Sequence, residues 1–142
     1  MKKVFIDTSL FVSLFEEDDD RHDEAMRLFE EAMARKLGVV ISDYIFDECV
    51  TTVNARADHD IAVKAGAFML SSNVIELIWL DQDTKLKAWE YFTTHADKGY
   101  SFTDCTSFVL MKEMKLTHYL AFDKHFEQAG FRLFPAKTRT GS

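Results

Sequence analysis

Short, unbroken apolar runs alternate along the chain with longer stretches of helical period, and this alternation narrows the possible folds more than any other feature. Val4-Phe5-Ile6 and Val39-Val40-Ile41 are apolar on both alternate faces. Such strands belong inside a sheet covered on both sides, as in parallel sheets, and not at a half-solvated antiparallel surface. Between the runs, Ala25, Leu28, Phe29, Ala32 and Met33 recur at helical spacing in His22–Lys36, and Gly38 is placed to stop that helix. Further helices are expected at Ser9–Phe15, from Ser42 or Asp43 onward, at Asp60–Leu70, from Asp83 or Thr84 onward, and at Thr103–Met114. Strands are expected at Lys3–Ile6, Val39–Ile41, Val74–Leu80, His118–Phe122 and Phe131–Phe134. Strand–helix alternation implies right-handed crossovers and an α/β fold, a parallel sheet with helices on both faces.

The 142 residues suit one domain, with residues 1–135 as its body and 136–142 as a C-terminal tail. Five glycines and one proline are too few for a loop-dominated sandwich. The longest apolar runs fall short of the roughly 20 residues of a membrane span. Asp7 also interrupts the stretch that a signal peptide would continue, so a cytoplasmic protein is expected. Cys49 and Cys105 match no zinc or redox spacing and read as buried thiols. The net charge of −7 argues against gripping nucleic acid through a basic surface, but it leaves room for an enzyme whose acids hold cations.

In open parallel sheets, ligands bind outside the carboxyl ends of the strands. Four acids fall there. Asp7 follows the first strand, Glu48 lies one to two turns into the helix after the second, Asp104 opens a helix after Ser101, and Asp123 follows the fourth strand. Each has an ordinary structural reading: Asp7 and Asp123 as helix N-caps, Ser101 with Asp104 as a capping box, Glu48 as a solvated residue. Together at one edge they would repel unless cations bound between them. Hard oxygen ligands suit Mg²⁺ or Mn²⁺, which on a phosphate ester activate water and stabilise the leaving oxygen.

The stretches Val4-Phe5-Ile6-Asp7-Thr8-Ser9, Asp47-Glu48, Ser101-Phe102-Thr103-Asp104-Cys105 and Ala121-Phe122-Asp123-Lys124-His125-Phe126 resemble, in order and spacing, the acidic motifs of PIN-domain nucleases. The resemblance spans about Lys3 to Phe134 and is nearest to the compact VapC-type ribonuclease toxins. It implies a three-layer α/β/α sandwich with sheet order 3-2-1-4-5 and an Mg²⁺- or Mn²⁺-dependent endoribonuclease leaving 3′-hydroxyl and 5′-phosphate ends. A co-encoded antitoxin and a homodimer are implied as well. Asp7, Glu48, Asp104 and Asp123 match the family's catalytic and metal-binding acids, and Thr8 or Ser9 matches the hydroxyl beside the first. Ala121 stands where a hydroxyl residue is common before the last acid, and Ser107 or Phe108 where some members carry an extra acid.

Lys124 and His125 flank Asp123 and are candidate phosphate contacts. Arg56, Lys98 and Arg132 are weaker candidates for an RNA groove. Phe11, Phe108 and Tyr119 read as core rather than base-stacking residues, and Cys105, a soft ligand, as a poor partner for Mg²⁺. Glu16–Asp20 reads as a solvated loop. Surplus apolar residues on the helices at Phe46–Arg56 and Asp60–Leu70, with Ile45, Val53 and Met69 among them, point to those helices as a dimer face. Two other readings stay open. One is a PIN-like scaffold that binds RNA or protein without cleaving. The other is an aspartyl-phosphate enzyme, less favoured because Ser9 stands where that class places its second acid and only Lys124 offers its lysine.

Overall fold

Strand β1 (Lys3–Ile6) lies at the centre of a five-stranded sheet in the computed structural model, which describes residues 1–136. The expected C-terminal tail therefore falls outside the described residues, apart from residue 136. After β1 come α1 (Thr8–Phe15), α2 (His22–Ala34), β2 (Gly38–Ser42), α3 (Asp43–Arg56), α4 (His59–Ser71) and β3 (Ile75–Ile78). The second half adds α5 (Gln82–Thr94), α6 (Phe102–Glu113), β4 (His118–Leu120), α7 (His125–Gln128) and β5 (Arg132–Leu133). All pairings are parallel and the order is β3-β2-β1-β4-β5. The α/β class and the 3-2-1-4-5 order match the sequence reading.

The chain winds outward from β1 in one direction through β2 and β3, then crosses back to β4 and continues to β5. Right-handed crossovers put α1–α4 over one face and α5–α7 over the other. Helix packing follows that division: α1 meets α2 and α3, α3 meets α4, and α5 meets α6. Winding reverses between β1 and β4, which makes their carboxyl ends the topological switch point where such sheets bind ligands. The two strands are locked in register there, Phe5 opposite Tyr119 and Ile6 opposite Leu120, and Asp7 N donates to Leu120 O at 2.9 Å.

Both faces of the central strands are buried, and Val4, Phe5, Ile6, Val39, Val40 and Ile41 are wholly enclosed. Phe11, Phe108 and Tyr119 are core residues as expected, and both cysteines are free and buried. Several boundaries differ from expectation. Helix α2 stops at Ala34, before Gly38, with Lys36 taking the left-handed φ of 58° that ends it. Asp81, not Asp83 or Thr84, caps α5 by accepting from Thr84 N at 2.9 Å. Strand β4 ends at Leu120, and the short α7 has no counterpart in the sequence reading.

The expected dimer face on α3 and α4 is split: an apolar groove lined by Phe46, Val50, Val63 and Leu70 stays open between the two helices, with Val63 and Leu70 exposed. Ile45, Val53 and Met69 are buried within their own chain, where they fill the space between α3, α4 and the sheet. A second group of exposed large apolar side chains lies on α5, whose Leu86, Trp89 and Phe92 share one side, with Trp79 exposed after β3. Helix α5 turns Thr84 and Ala88 inward. Tyr91 packs inward against Tyr100 and Phe108, while Trp89, the largest residue of the helix, faces out. No described helix is long and apolar enough to cross a membrane.

Candidate active site

At the switch point the carboxyl ends of β1 and β4 open into a cleft of about 790 Å³, lined by eight carboxylates and two arginines. Asp7, Glu48, Asp104 and Asp123 all line it, as do Thr8, Ser9 and His125. Lys124, the remaining candidate, is exposed and does not line the cleft. Lys98 and Arg132 also lie away from it, while Arg56 is part of its wall.

The structural and functional readings of the acids are compatible. Asp7 is the N-cap of α1: its Oδ2 accepts from Ser9 N at 3.4 Å and from Ser9 Oγ at 3.1 Å. Ser9 Oγ in turn accepts from Phe122 N at 3.1 Å, so one hydroxyl ties the exit of β1 to the exit of β4. This bond joins the backbone just after Ala121, the position that lacks the family's usual hydroxyl. Asp104 forms a complete capping box with Ser101, Asp104 N donating to Ser101 Oγ at 2.9 Å and Ser101 N donating back to Asp104 Oδ2 at 3.0 Å. The same oxygen takes a second bond from His125 Nδ1 at 2.8 Å. Asp123 Oδ1 accepts from His125 N at 3.0 Å, which aims both side chains of the turn at the cleft. A cap bond occupies part of each carboxylate and leaves further lone pairs open. Ser107, where some members carry a further acid, is buried and bonded to Thr103 O.

Asp7 is only 5% exposed. Burial, then the charges of Asp123 and Asp104, push its carboxyl up to about 7, against the opposing bonds from Ser9. Asp123 is likewise raised, chiefly by burial; the backbone bond from His125 opposes this and Asp104 adds to it. Cys105 is pushed up to about 11, by burial first and by Asp104 second, so it is a thiol at neutral pH, and it does not line the cleft. Ligand atoms of Asp104, Asp123 and His125 lie within 4.8 Å of one another. Glu48 faces the same cleft from α3 but lies outside this tight group. Thr8 Oγ1 is buried and finds no hydrogen-bond partner. Uncompensated carboxylates, an orphaned hydroxyl and one imidazole form an oxygen-rich donor set, which fits a hard divalent cation.

A family model of the PIN domain matches residues 4–132. The chain belongs to the PIN-domain family. This PIN domain is 37% identical over 129 residues to a protein named 23S rRNA-specific endonuclease VapC20, known from two Mycobacterium tuberculosis strains; the match covers 90% of this chain and 95% of that protein. It is 28% identical over 126 residues to a VapC ribonuclease of Archaeoglobus fulgidus, with 85% and 77% covered. The crystal structure of the M. tuberculosis VapC20, described as a sarcin-ricin loop cleaving toxin, superposes with a TM-score of 0.83 at 35% identity and covers 91% of this chain and 96% of that one.

The sequence reading missed the role of Glu16–Asp20. Far from being merely solvated, this loop supplies Glu16, Asp18, Asp19 and Asp20 to the cleft wall. Its signal lay in α3: Glu48, Thr52 and Arg56 recur every fourth residue, so a residue facing the acidic loop was readable from the helix bearing the second acid.

Proposed function

We propose that this PIN domain is a divalent-metal-dependent endoribonuclease and the toxin of a toxin–antitoxin pair. The observation that carries the reading is the buried Asp7 carboxyl, raised to about 7 beside Asp104 and Asp123 at the switch point. A cap alone needs no such cluster. Asp7, Glu48, Asp104 and Asp123 would hold the metal, Mg²⁺ or Mn²⁺, with His125 beside them. When bound, the ion supplies Lewis-acid stabilisation of the scissile phosphate and lowers the pKa of the attacking water.

The chain's own residues provide the positioning. Ser9 fixes Asp7 against the β4 exit, the Ser101 box fixes the start of α6, and His125 orients Asp104 through its Nδ1–H. The substrate is a structured RNA, and the relative named as a 23S rRNA endonuclease makes ribosomal RNA the first to test. The remaining proposals are an antitoxin protein that blocks the cleft, a homodimer, a cytoplasmic location and residues 1–135 as the single domain.

Incubation of 23S rRNA with the purified protein and Mg²⁺ or Mn²⁺ is expected to give discrete fragments, and EDTA to abolish them. Cleavage indifferent to chelator would remove the metal from the mechanism. No cleavage of any RNA would favour the non-cleaving scaffold.

A further inference from the structure

Arg56 stands in the wall of the cleft among its acids without being consumed by them. Arg56 ends α3, and its Nη2 donates to Asp19 Oδ2 at 3.1 Å while its Nε lies 3.2 Å from Glu16 Oε2. The two carboxylates are only about 15% exposed at the side chain, whereas the Arg56 side chain is 51% exposed. Asp19 is itself held in place: its Oδ1 accepts from Ser13 Oγ at 3.0 Å and from Arg21 N at 2.8 Å. The guanidinium is thus gripped along one edge. Among the described residues its Nη1 donors have no partner, and the group lines the cleft.

A surface ion pair of this kind contributes little to stability. The anchored Asp19 carboxylate, with the largely buried Glu16 carboxylate in charge contact at 3.2 Å, does, however, fix the orientation of a planar fork before a ligand arrives, which lowers the ordering cost of binding. The ligand class follows from the donor geometry. Free guanidinium N–H groups beside a cleft that otherwise repels anions select a phosphate, and an arginine presents them in the bidentate arrangement that phosphate oxygens accept.

The helix gives the distance. Glu48, Thr52 and Arg56 line the cleft from one face of α3, and eight residues at 1.5 Å each separate the outer two by about 12 Å. Arg56 is thus offset along the cleft wall from Glu48, toward Glu16 and Asp19. Arg21, whose guanidinium sits 4.7 Å over the Phe122 ring and donates to Phe122 O at 3.4 Å, is the second cleft arginine and hangs from the same Asp19.

We propose that Arg56, held by Glu16 and Asp19, is a substrate-positioning residue that docks a backbone phosphate of the RNA neighbouring the scissile one. The proposal rests on RNA being the ligand of this cleft. It explains how an acidic protein holds a polyanion: one fixed cation offset from the metal-binding acids sets the register of the strand.

The test is binding of a fluorescein-labelled oligoribonucleotide by anisotropy over a salt series with Mg²⁺ present, alongside steady-state cleavage of the same RNA. Arg56→Ala is expected to weaken binding about tenfold and to lower the slope of log affinity against log salt by about 1, the loss of one phosphate contact. KM should rise by a similar factor while kcat stays within about twofold. Arg56→Lys should restore the salt slope but only part of the affinity, because it keeps the charge and loses the fork. Arg56→Gln, which retains donors for Glu16 and Asp19, should behave like the alanine variant with an unchanged melting temperature, separating docking from folding. Shortening the RNA stepwise from each end should erase the difference between wild type and Arg56→Ala once the docked phosphate is removed. Wild-type affinity and salt slope in Arg56→Ala and Arg56→Gln would overturn the proposal, as would a fall in kcat at unchanged KM. If the wild type binds RNA without cleaving it and Arg56→Ala loses the salt-dependent contact, docking stands and the nuclease reading fails.

Discussion

Burial removes most of the hydration that an Asp7 carboxylate would have in water, and Asp123 and Asp104 add like charge. The native state therefore keeps a proton on Asp7 up to about pH 7, where the unfolded chain releases it near 3.8. A group whose folded pKa is raised stabilises the fold fully below its unfolded value and loses that contribution as pH rises through the folded value. A difference of this size between the folded and unfolded chain is worth up to about 4 kcal/mol. In EDTA, the unfolding free energy of the wild type is thus expected to fall between about pH 4 and 7, and Asp7→Asn to flatten most of that fall. Urea titrations of both proteins across this range check the sign; equal slopes would place the charge elsewhere. Adding Mn²⁺ at pH 8 should raise the stability of the wild type more than that of the variant, since the cation then compensates the ionised acid. Cleavage should drop at least about 100-fold in Asp7→Asn, because an asparagine amide keeps the volume and part of the cap but not the charge that a metal needs. Normal cleavage would reduce Asp7 to a helix cap.

Elements set the precision of this site, and α6 shows how. Its first turn is fixed by the reciprocal bonds of Ser101 and Asp104, so the helix start and the third acid are positioned by one motif. Ser101→Ala should cost about 1 kcal/mol in urea unfolding and lower cleavage severalfold as the turn loosens, while Ser101→Thr, which keeps the capping oxygen, should preserve both; equal activity in all three would detach the cap from the site. The same motif explains what was legible beforehand. Apolar runs at β1 and β2, capping residues Ser42 and Ser101, and acids trailing β1 and β4 each follow local rules, so the sheet and the four cleft acids could be read in order. The three- and six-residue spacing of Leu86, Trp89 and Phe92 places them on one side of a helix but does not say which way that side faces, because a stripe reads the same whether it meets a sheet or solvent. The Arg56–Asp19 contact spans 37 positions, and no local pattern encodes a partner that distant. Lys124 and His125 differ by one residue, yet only the turn made by Asp123 Oδ1 decides which of them enters the cleft.

At the scale of the molecule, the exposed side of α5 remains to be accounted for. Trp89 is 56% exposed, Leu86 equally so, and Phe92 38%. Trp89 and Phe92 stack with centroids 5.9 Å apart, and Phe92 meets Phe102 edge-on at 6.3 Å. Phe102 adjoins Ser101, so the stripe runs to the rim of the acidic cleft. A standard interface takes roughly 800 Å² from each partner around an aromatic core, and this stripe supplies such a core without completing it. The charges along α5 balance, Asp83 and Glu90 against Lys85 and Lys87, so two copies of the helix meeting about a twofold axis would face no net like charge. A second copy of the chain is accordingly the expected occupant. Light scattering at micromolar concentration should report about twice the 16.4 kDa chain mass. Trp89→Glu should halve that value while leaving the far-UV spectrum unchanged, since the replaced ring is solvent-exposed within one chain. A wild-type monomer, or a dimer indifferent to Trp89→Glu, would assign the stripe to another partner.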